Sequence, residues 1–104
     1  MANEPDELIH QPLRLRIMAT LHGLPAREAI EFTRLKSIVE ATDGNLGAHL
    51  GTLERAGYLK VDKDFVGKKP RTRVGITAAG RRAFLSHVAY LRDLIDSAGA
   101  TPTG

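Results

Sequence analysis

The segment 66–73 carries four cationic side chains in eight residues: Lys68, Lys69, Arg71 and Arg73. Ammonium and guanidinium groups bind phosphate oxygens and give a salt-dependent, sequence-independent affinity for nucleic acids. An arginine side chain can also enter a narrow, A/T-rich minor groove. Pro70 fixes its own backbone and restricts that of Lys69, which stiffens the loop. The segment therefore predicts a rigid basic loop that binds a polyanion.

The charge of the chain is unevenly distributed. The 104 residues have a formal net charge of +3. Residues 58–82 hold eight Lys and Arg against Asp62 and Asp64, a net charge of +6, so the remaining residues carry −3. This asymmetry favours one surface for a polyanion. A solvated hairpin that happens to be rich in lysine is the alternative.

The apolar periodicity predicts the elements that must position this loop. Helical spacing begins at Pro12 and ends at Gly23, and an extended stretch covers residues 29–32. Thr33 is the expected N-cap of a second helix, and Thr42 or Asp43 that of a third, which Gly57 ends. Two alternating strands then flank a predicted hairpin loop at 66–71, and Thr77 caps a last helix that ends near residue 97. The predicted order is helix, short strand, helix, helix, strand, strand, helix.

Three segments in this order resemble ArsR-like and MarR-like winged-helix repressors. HQPLRLRIMATL is similar to their first helix, TDGNLGAHLGTLERAGYL to their recognition helix, and FVGKKPRTRVGITAAGRRAF to their wing and the start of the next helix. The resemblance implies an α+β, mostly α, winged helix-turn-helix: a three-helix core, a β-hairpin wing and a C-terminal dimerisation helix. The domain is expected to cover residues 8–97, with disordered ends at 1–7 and 98–104.

The resemblance further implies a dimeric transcriptional regulator, of repressor type, that binds double-stranded DNA. The recognition helix 43–56 would enter the major groove, and the wing 66–73 would lie on the DNA backbone or minor groove. Thr33, Arg34 and Thr42 lie at helix starts, where hydroxyl and N–H groups favour phosphate. Capping alone is the alternative role for these residues.

Base reading by the recognition helix depends on its exposed side. If Leu46, Leu50 and Leu53 are buried, the exposed positions are Gly44, Asn45, Ala48, Thr52 and Arg55. Asn can read adenine through two hydrogen bonds, and Thr can contact a thymine methyl group. Asn45 is therefore the expected base reader, and a polar residue in a first helical turn is the alternative. His49, at the edge of this surface, is expected to pack or to bind phosphate.

The same helix contains three glycines: Gly44, Gly47 and Gly51. Each costs about 0.5–1 kcal/mol of helix stability relative to Ala. Relatives often have Ser, Arg or Lys where this chain has Gly47, Ala48 and Gly51. Either the glycines allow the helix backbone to approach DNA or a neighbouring helix, or specificity comes from the wing and from DNA shape.

A long apolar stripe on the last helix predicts a homodimer. Phe84, Val88, Leu91 and Ile95 have heptad-like spacing, and Leu85 and Leu94 widen the stripe. Leu8 and Ile9 are expected to join the same interface. The alternative is that Phe84, Val88 and Leu91 close the core of the monomer and leave only Leu94 and Ile95 exposed.

Other functional classes find little support. The chain has no cysteine, no nucleophile motif and no phosphate-binding loop, so we expect neither an enzyme nor a cofactor. Its four histidines lack metal-ligand spacing, although His10 and His87 could meet at a dimer interface as a metal or ligand sensor. No apolar run is long enough for a membrane, and a cytoplasmic location is expected. A winged helix that binds RNA or protein is the alternative function, and any small-molecule effector is left open.

Overall fold

A computed structural model describes residues 4–99 as four helices and three strands. The elements are α1 (Pro12–His22), β1 (Ala29–Glu31), α2 (Phe32–Val39), α3 (Asp43–Arg55), β2 (Leu59–Val66), β3 (Lys69–Ile76) and α4 (Ala78–Gly99). The strands form one antiparallel sheet in the order β1-β3-β2. The predicted order of elements and the winged-helix fold are therefore confirmed.

Helices α1, α2 and α3 share one aliphatic core. The buried side chains are Ile17, Met18 and Leu21 of α1, Leu35 and Val39 of α2, and Leu46, Leu50 and Leu53 of α3. The predicted apolar side of α3 is thus the buried one. The hydroxyl of Thr42 accepts a hydrogen bond from the Asn45 N–H at 3.2 Å, which confirms Thr42 as the N-cap of α3.

The predicted start of α2 is wrong by two residues. The helix begins at Phe32, so Thr33 lies inside its first turn and Glu31 is the N-cap, without a side-chain hydrogen bond. The cause is tertiary, because Glu31 also ends β1 and pairs with Arg73 of β3. Strand pairing fixes Glu31 in the extended conformation that an N-cap needs, so the chain passes from strand to helix without a capping loop.

The β2–β3 hairpin extends well beyond the core. Its turn consists of Gly67 and Lys68, because Val66 pairs with Lys69, and the predicted loop at 66–71 is therefore mostly strand. Gly67 has a φ of +63°, which favours glycine. Along one face of β2, Leu59 is buried whereas Phe65 is 70% exposed. The outer half of the hairpin is the wing.

Helix α4 closes the core and continues past it. The Thr77 hydroxyl accepts a hydrogen bond from the Gly80 N–H at 2.9 Å, as expected for its N-cap. The helix ends at Gly99, so residues 98 and 99 of the predicted C-terminal tail 98–104 are helical. Residues 100–104 of that tail lie outside the described range. In the segment 1–7, for which we predicted disorder, residues 1–3 lie outside that range. Asp6 is bonded to Tyr58 and His87.

Candidate nucleic-acid interface

The side of α3 that is predicted to face DNA bases is exposed at four of its five positions, and Thr52 is half-buried. Gly44, Asn45 and Ala48 are all exposed. The Asn45 backbone N–H is bonded to Thr42, whereas no hydrogen bond of the Asn45 side chain is recorded among the described residues. The Asn45 amide group can therefore form two hydrogen bonds to a base edge without disturbing the helix cap.

The C-terminal half of α3 offers fewer groups to a ligand. The half-buried Thr52 donates its hydroxyl to the Ala48 carbonyl at 3.2 Å and accepts a hydrogen bond from the Arg55 guanidinium at 3.4 Å. This arrangement folds the Arg55 side chain along the helix, where its Nη1 atom would lie 3.2 Å from a Cβ atom built on Gly51. Thr52 and Arg55 are therefore engaged with the helix itself in the free protein.

His49 links α3 to α1. Its Nδ1 atom lies 3.0 Å from Nη1 of Arg14, and because arginine can only donate, Nδ1 accepts. The Arg14 Nε–H in turn donates to the Leu8 carbonyl. Burial, and to a lesser extent the Arg14 charge, lowers the pKa of His49. The structure thus places His49 as a packed, hydrogen-bonded residue, one of the two roles expected for it.

An aspartate on the outer face of the wing holds two of the four predicted cations. The Asp64 carboxylate accepts two hydrogen bonds from Arg71, at 2.9 and 2.6 Å, and lies 3.6 Å from the Arg73 guanidinium. The bidentate bond to Arg71 lowers the pKa of Asp64, and the nearby Arg73 adds to this effect. The strand register puts all three side chains on the face opposite to Leu59, away from α3. Sequence reasoning missed this role of Asp64.

The tip of the wing combines two lysines with apolar side chains. Lys68 and Lys69 are exposed, and among the described residues the side chain of neither lysine forms a hydrogen bond or an ion pair. The neighbouring side chains of Phe65 and Val66 are 70% and 55% exposed. The tip is therefore the part of the wing whose positive charge is available to a phosphate.

Two grooves flank the wing. One, of about 440 Å³, lies between the start of α2 and β3, and its lining includes Glu31, Phe32, Thr33, Lys69 and Arg71. The start of α2 and two of the predicted wing cations, Lys69 and Arg71, therefore line the same groove. The exposed Arg34 also lies at the start of α2. The other, of about 330 Å³, lies between α3 and the sheet; we call it the α3–wing groove. It is lined by Phe32, Gly47, Leu50, Gly51, Glu54, Val61, Lys63 and Thr72.

The residues predicted for dimerisation divide into two groups. Ile9 and Phe84 are buried in the core of the monomer, and Val88 packs against that core. The N-terminal segment and α4 both pack on the core of the monomer. Their apolar side chains at these three positions therefore contact residues of the same chain. Leu8 and Leu91 are half-buried, whereas Leu94 and Ile95 are 55% and 66% exposed. An apolar surface therefore remains on the distal half of α4, as in the alternative considered above.

A polar cluster joins the N-terminal segment to the end of α3 and to α4. Asp6 accepts the Tyr58 hydroxyl at 2.6 Å, which is the main reason that the pKa of Tyr58 rises to about 12. The Asp6 N–H donates to Nδ1 of the fully buried His87 at 3.0 Å. The His10 ring lies edge-on to His87 at 5.3 Å. The described residues contain no group of three or more side chains suited to a metal ion.

Comparisons with known proteins agree with this geometry. A family model described as a winged helix DNA-binding domain matches residues 13–95. An uncharacterized protein of Methanocaldococcus jannaschii is 35% identical over 88 residues, 85% of this chain and 92% of that protein. A transcriptional regulator homologue from Pyrococcus horikoshii has a solved structure with a TM-score of 0.78 at 32% identity, over 88% of each chain. A MarR-family transcriptional regulator from Silicibacter pomeroyi has a TM-score of 0.67 at 21% identity, over 93% of this chain and 62% of that one.

Proposed function

Because this chain belongs to the winged helix DNA-binding domain family and has the fold of MarR-type transcriptional regulators, we propose that it is a homodimeric, sequence-specific regulator of transcription. Its ligand is double-stranded DNA, and its mode of action is repression, as the resemblance to winged-helix repressors implies. No described helix has the length and apolarity needed to cross a membrane.

The observation that carries the proposal is that an exposed amide on α3, exposed residues at the start of α2 and an exposed basic tip occur in one winged helix. Asn45 lies in the first turn of α3, the part of a recognition helix that meets base edges. The α2 start, with Thr33 and Arg34, and the wing tip, with Lys68 and Lys69, are exposed and suited to phosphate. A protein-docking surface has no need for this combination of a base-reading amide and free cations.

Support for the homodimer comes from α4. Its 22 residues make a helix about 33 Å long, and the apolar side chains of Leu94 and Ile95 lie beyond the monomer core. Pairing this distal half with its copy would bury them, at about 25 cal/mol per Å² of apolar surface. A dimer can place two recognition helices about 34–36 Å apart, on successive major-groove faces of an inverted repeat.

The test is a binding titration with a random-sequence duplex, a selected duplex and single strands, each at several salt concentrations. Duplex binding that weakens linearly with the logarithm of salt, with selection of an inverted-repeat site, supports the proposal. Binding to single-stranded RNA with equal or greater affinity would favour the RNA-binding alternative instead. Absence of binding to every duplex at low salt would overturn the proposal.

A further inference from the structure

We propose that the α3–wing groove seats one sugar–phosphate strand of the bound duplex, and that Gly47 and Gly51 keep the groove open for it. Lys63 and Thr72 supply the polar contacts to its phosphates. The inference rests on the proposed function, since it concerns how the duplex fits between two elements of the same interface.

The geometry of a duplex requires such a seat. When α3 lies in the major groove and the wing lies on the adjacent minor groove, the DNA strand that separates these grooves must pass between the two elements. The surface between α3 and the wing is the groove lined by Gly47 and Gly51 on the helix side and by Lys63 and Thr72 on the sheet side.

The fold of the free protein does not require either glycine. Both have ordinary helical φ values, and a Cβ atom built on Gly47 would meet no atom within 4 Å outside its own helix backbone. At Gly51 the added atom would meet only the flexible guanidinium of Arg55. Each glycine nevertheless costs the helix about 1 kcal/mol relative to alanine. An occupant that needs the space explains this cost, whereas packing within the monomer does not.

The lining of the groove suits a sugar–phosphate strand. Lys63 interrupts the apolar side of β2 that Leu59, Val61 and Phe65 otherwise form, and it pairs across the hairpin with Thr72. Its ammonium group and the Thr72 hydroxyl can both donate to phosphate oxygens. The apolar side chains of Leu50 and Val61 provide a floor for deoxyribose.

The lining contains one acidic residue, Glu54, and its carboxylate lies away from the Lys63 end of the groove. The Glu54 carboxylate accepts a hydrogen bond from the Val61 N–H at 3.0 Å, which ties it to the inner part of β2. Lys63 lies two residues farther along the strand toward the wing tip, a distance of about 7 Å. The positive end of the groove is therefore the end nearer to the proposed DNA.

The experiment separates stability from binding. Gly47→Ala and Gly51→Ala should each raise the thermal midpoint of unfolding, because alanine has a higher helix propensity than glycine. The same variants should weaken duplex binding about tenfold or more, and Gly47→Leu should weaken duplex binding further. Lys63→Ala should lower the log–log salt slope by about 0.9. Ser86→Ala, an exposed position of α4 on the side opposite to Phe84, is the matched control. It also adds helix propensity and should leave binding unchanged.

The outcomes distinguish this inference from the proposed function. If the unmodified protein binds duplex DNA and Gly47→Ala, Gly51→Ala and Lys63→Ala all bind it with unchanged affinity and slope, the seat is elsewhere and the inference is overturned. If the unmodified protein binds no duplex, the proposed function fails instead. Weaker binding by the glycine variants, together with higher thermal midpoints, supports the seat because lost stability cannot account for it.

Discussion

Gly80 of α4 packs directly against the backbone carbonyl group of Tyr58, the second residue after the α3 C-cap. A Cβ atom built on Gly80 would lie 2.9 Å from the carbonyl carbon of Tyr58, closer still to its oxygen, and 3.0 Å from Cγ1 of Ile76. The same carbonyl oxygen accepts the Thr77 N–H at 3.0 Å. The absence of a side chain at Gly80 thus sets how closely α4 approaches the junction between the recognition helix and the wing.

Gly80→Ala should therefore destabilise the fold, by about 3 kcal/mol, near the upper end of the overpacking range, because a backbone carbonyl cannot move aside as a side chain can. Thermal or urea unfolding followed by circular dichroism measures the loss. Gly23→Ala is the control, since its added Cβ would meet the nearest atom at an ordinary 3.5 Å. Equal midpoints for both variants would contradict the close packing of α4.

Replacing Lys68, Lys69, Arg71 and Arg73 together by Ala should weaken binding to all DNA sequences and flatten its salt dependence. Each lost phosphate contact lowers the log–log slope by about 0.9. The Lys68/Lys69 pair should account for more of the change than the Arg71/Arg73 pair, because Asp64 already neutralises part of the arginine charge. An unchanged slope in the quadruple variant would mean that the wing points away from DNA.

Asn45→Ala tests base reading. The substitution should cost about 1–3 kcal/mol on the preferred duplex and much less on random duplex. Stability should change little, because the N-cap bond of α3 uses the backbone N–H of Asn45 and the hydroxyl of Thr42. Competition titrations with both duplexes give the two affinities. Equal losses on both would assign Asn45 to the DNA backbone.

The double variant Leu94→Lys/Ile95→Lys should dissociate the proposed homodimer by placing charge in its apolar surface. Light scattering at micromolar concentration should give about twice 11.3 kDa for the unmodified chain and the monomer mass for the variant. Truncation after Tyr90 should have the same effect and should abolish binding to an inverted-repeat site. Ser86→Lys, an exposed position opposite to Ile95 on α4, adds a like charge as control and should remain dimeric. A monomeric unmodified chain would refute the prediction.

Acidic solution should destabilise the protein, partly through His87. Burial, with a smaller effect of His10, lowers the pKa of His87 in the folded state, while Asp6 and Glu7 act weakly in the opposite direction. The unfolded chain therefore binds more protons than the folded chain below about pH 6.5. The contribution of His87 to the free energy of unfolding is complete above that pH. It is lost as the pH falls toward the lowered pKa of His87 in the folded state.

Thermal midpoints between pH 7.5 and pH 5 should show this loss, and His87→Gln should reduce it, because a glutamine carbonyl can still accept the Asp6 N–H. His49, whose pKa is also lowered, should contribute in the same direction, so His49→Gln is the companion variant. An unmodified protein whose midpoint is constant over this range would contradict the prediction.

Local signals in the sequence were enough to predict the order of the elements. Leu46, Leu50 and Leu53 share a helical period, and Thr42 and Thr77 are capping residues followed by helix, so each prediction depended on neighbours within a few positions. The start of α2 was misplaced because Glu31 takes its extended backbone from a partner strand more than 40 residues away. Local spacing contains no information on that pairing.

The same limit applies to the candidate interface. Asp64 lies opposite Arg71 because the hairpin has a two-residue turn. The longer loop predicted at 66–71 does not place these two residues opposite each other. The contacts of Asp6 with Tyr58 and His87 join segments more than 50 and 80 residues apart, and nothing near Asp6 indicated them. The sequence marks the glycines of α3 as unusual for a helix, but only the fold shows that Gly47 and Gly51 border the sheet.

The cluster around Asp6 gives the protein an intrinsic optical probe. The chain has no tryptophan and two tyrosines, and both lie in this cluster: Tyr58 bonds to Asp6, and Tyr90 stacks on His87 with ring centroids 5.8 Å apart. Tyrosine absorbance and emission therefore arise from the place where the N-terminal segment, the end of α3 and α4 meet. An unfolding experiment can therefore follow this junction through tyrosine emission without any attached dye.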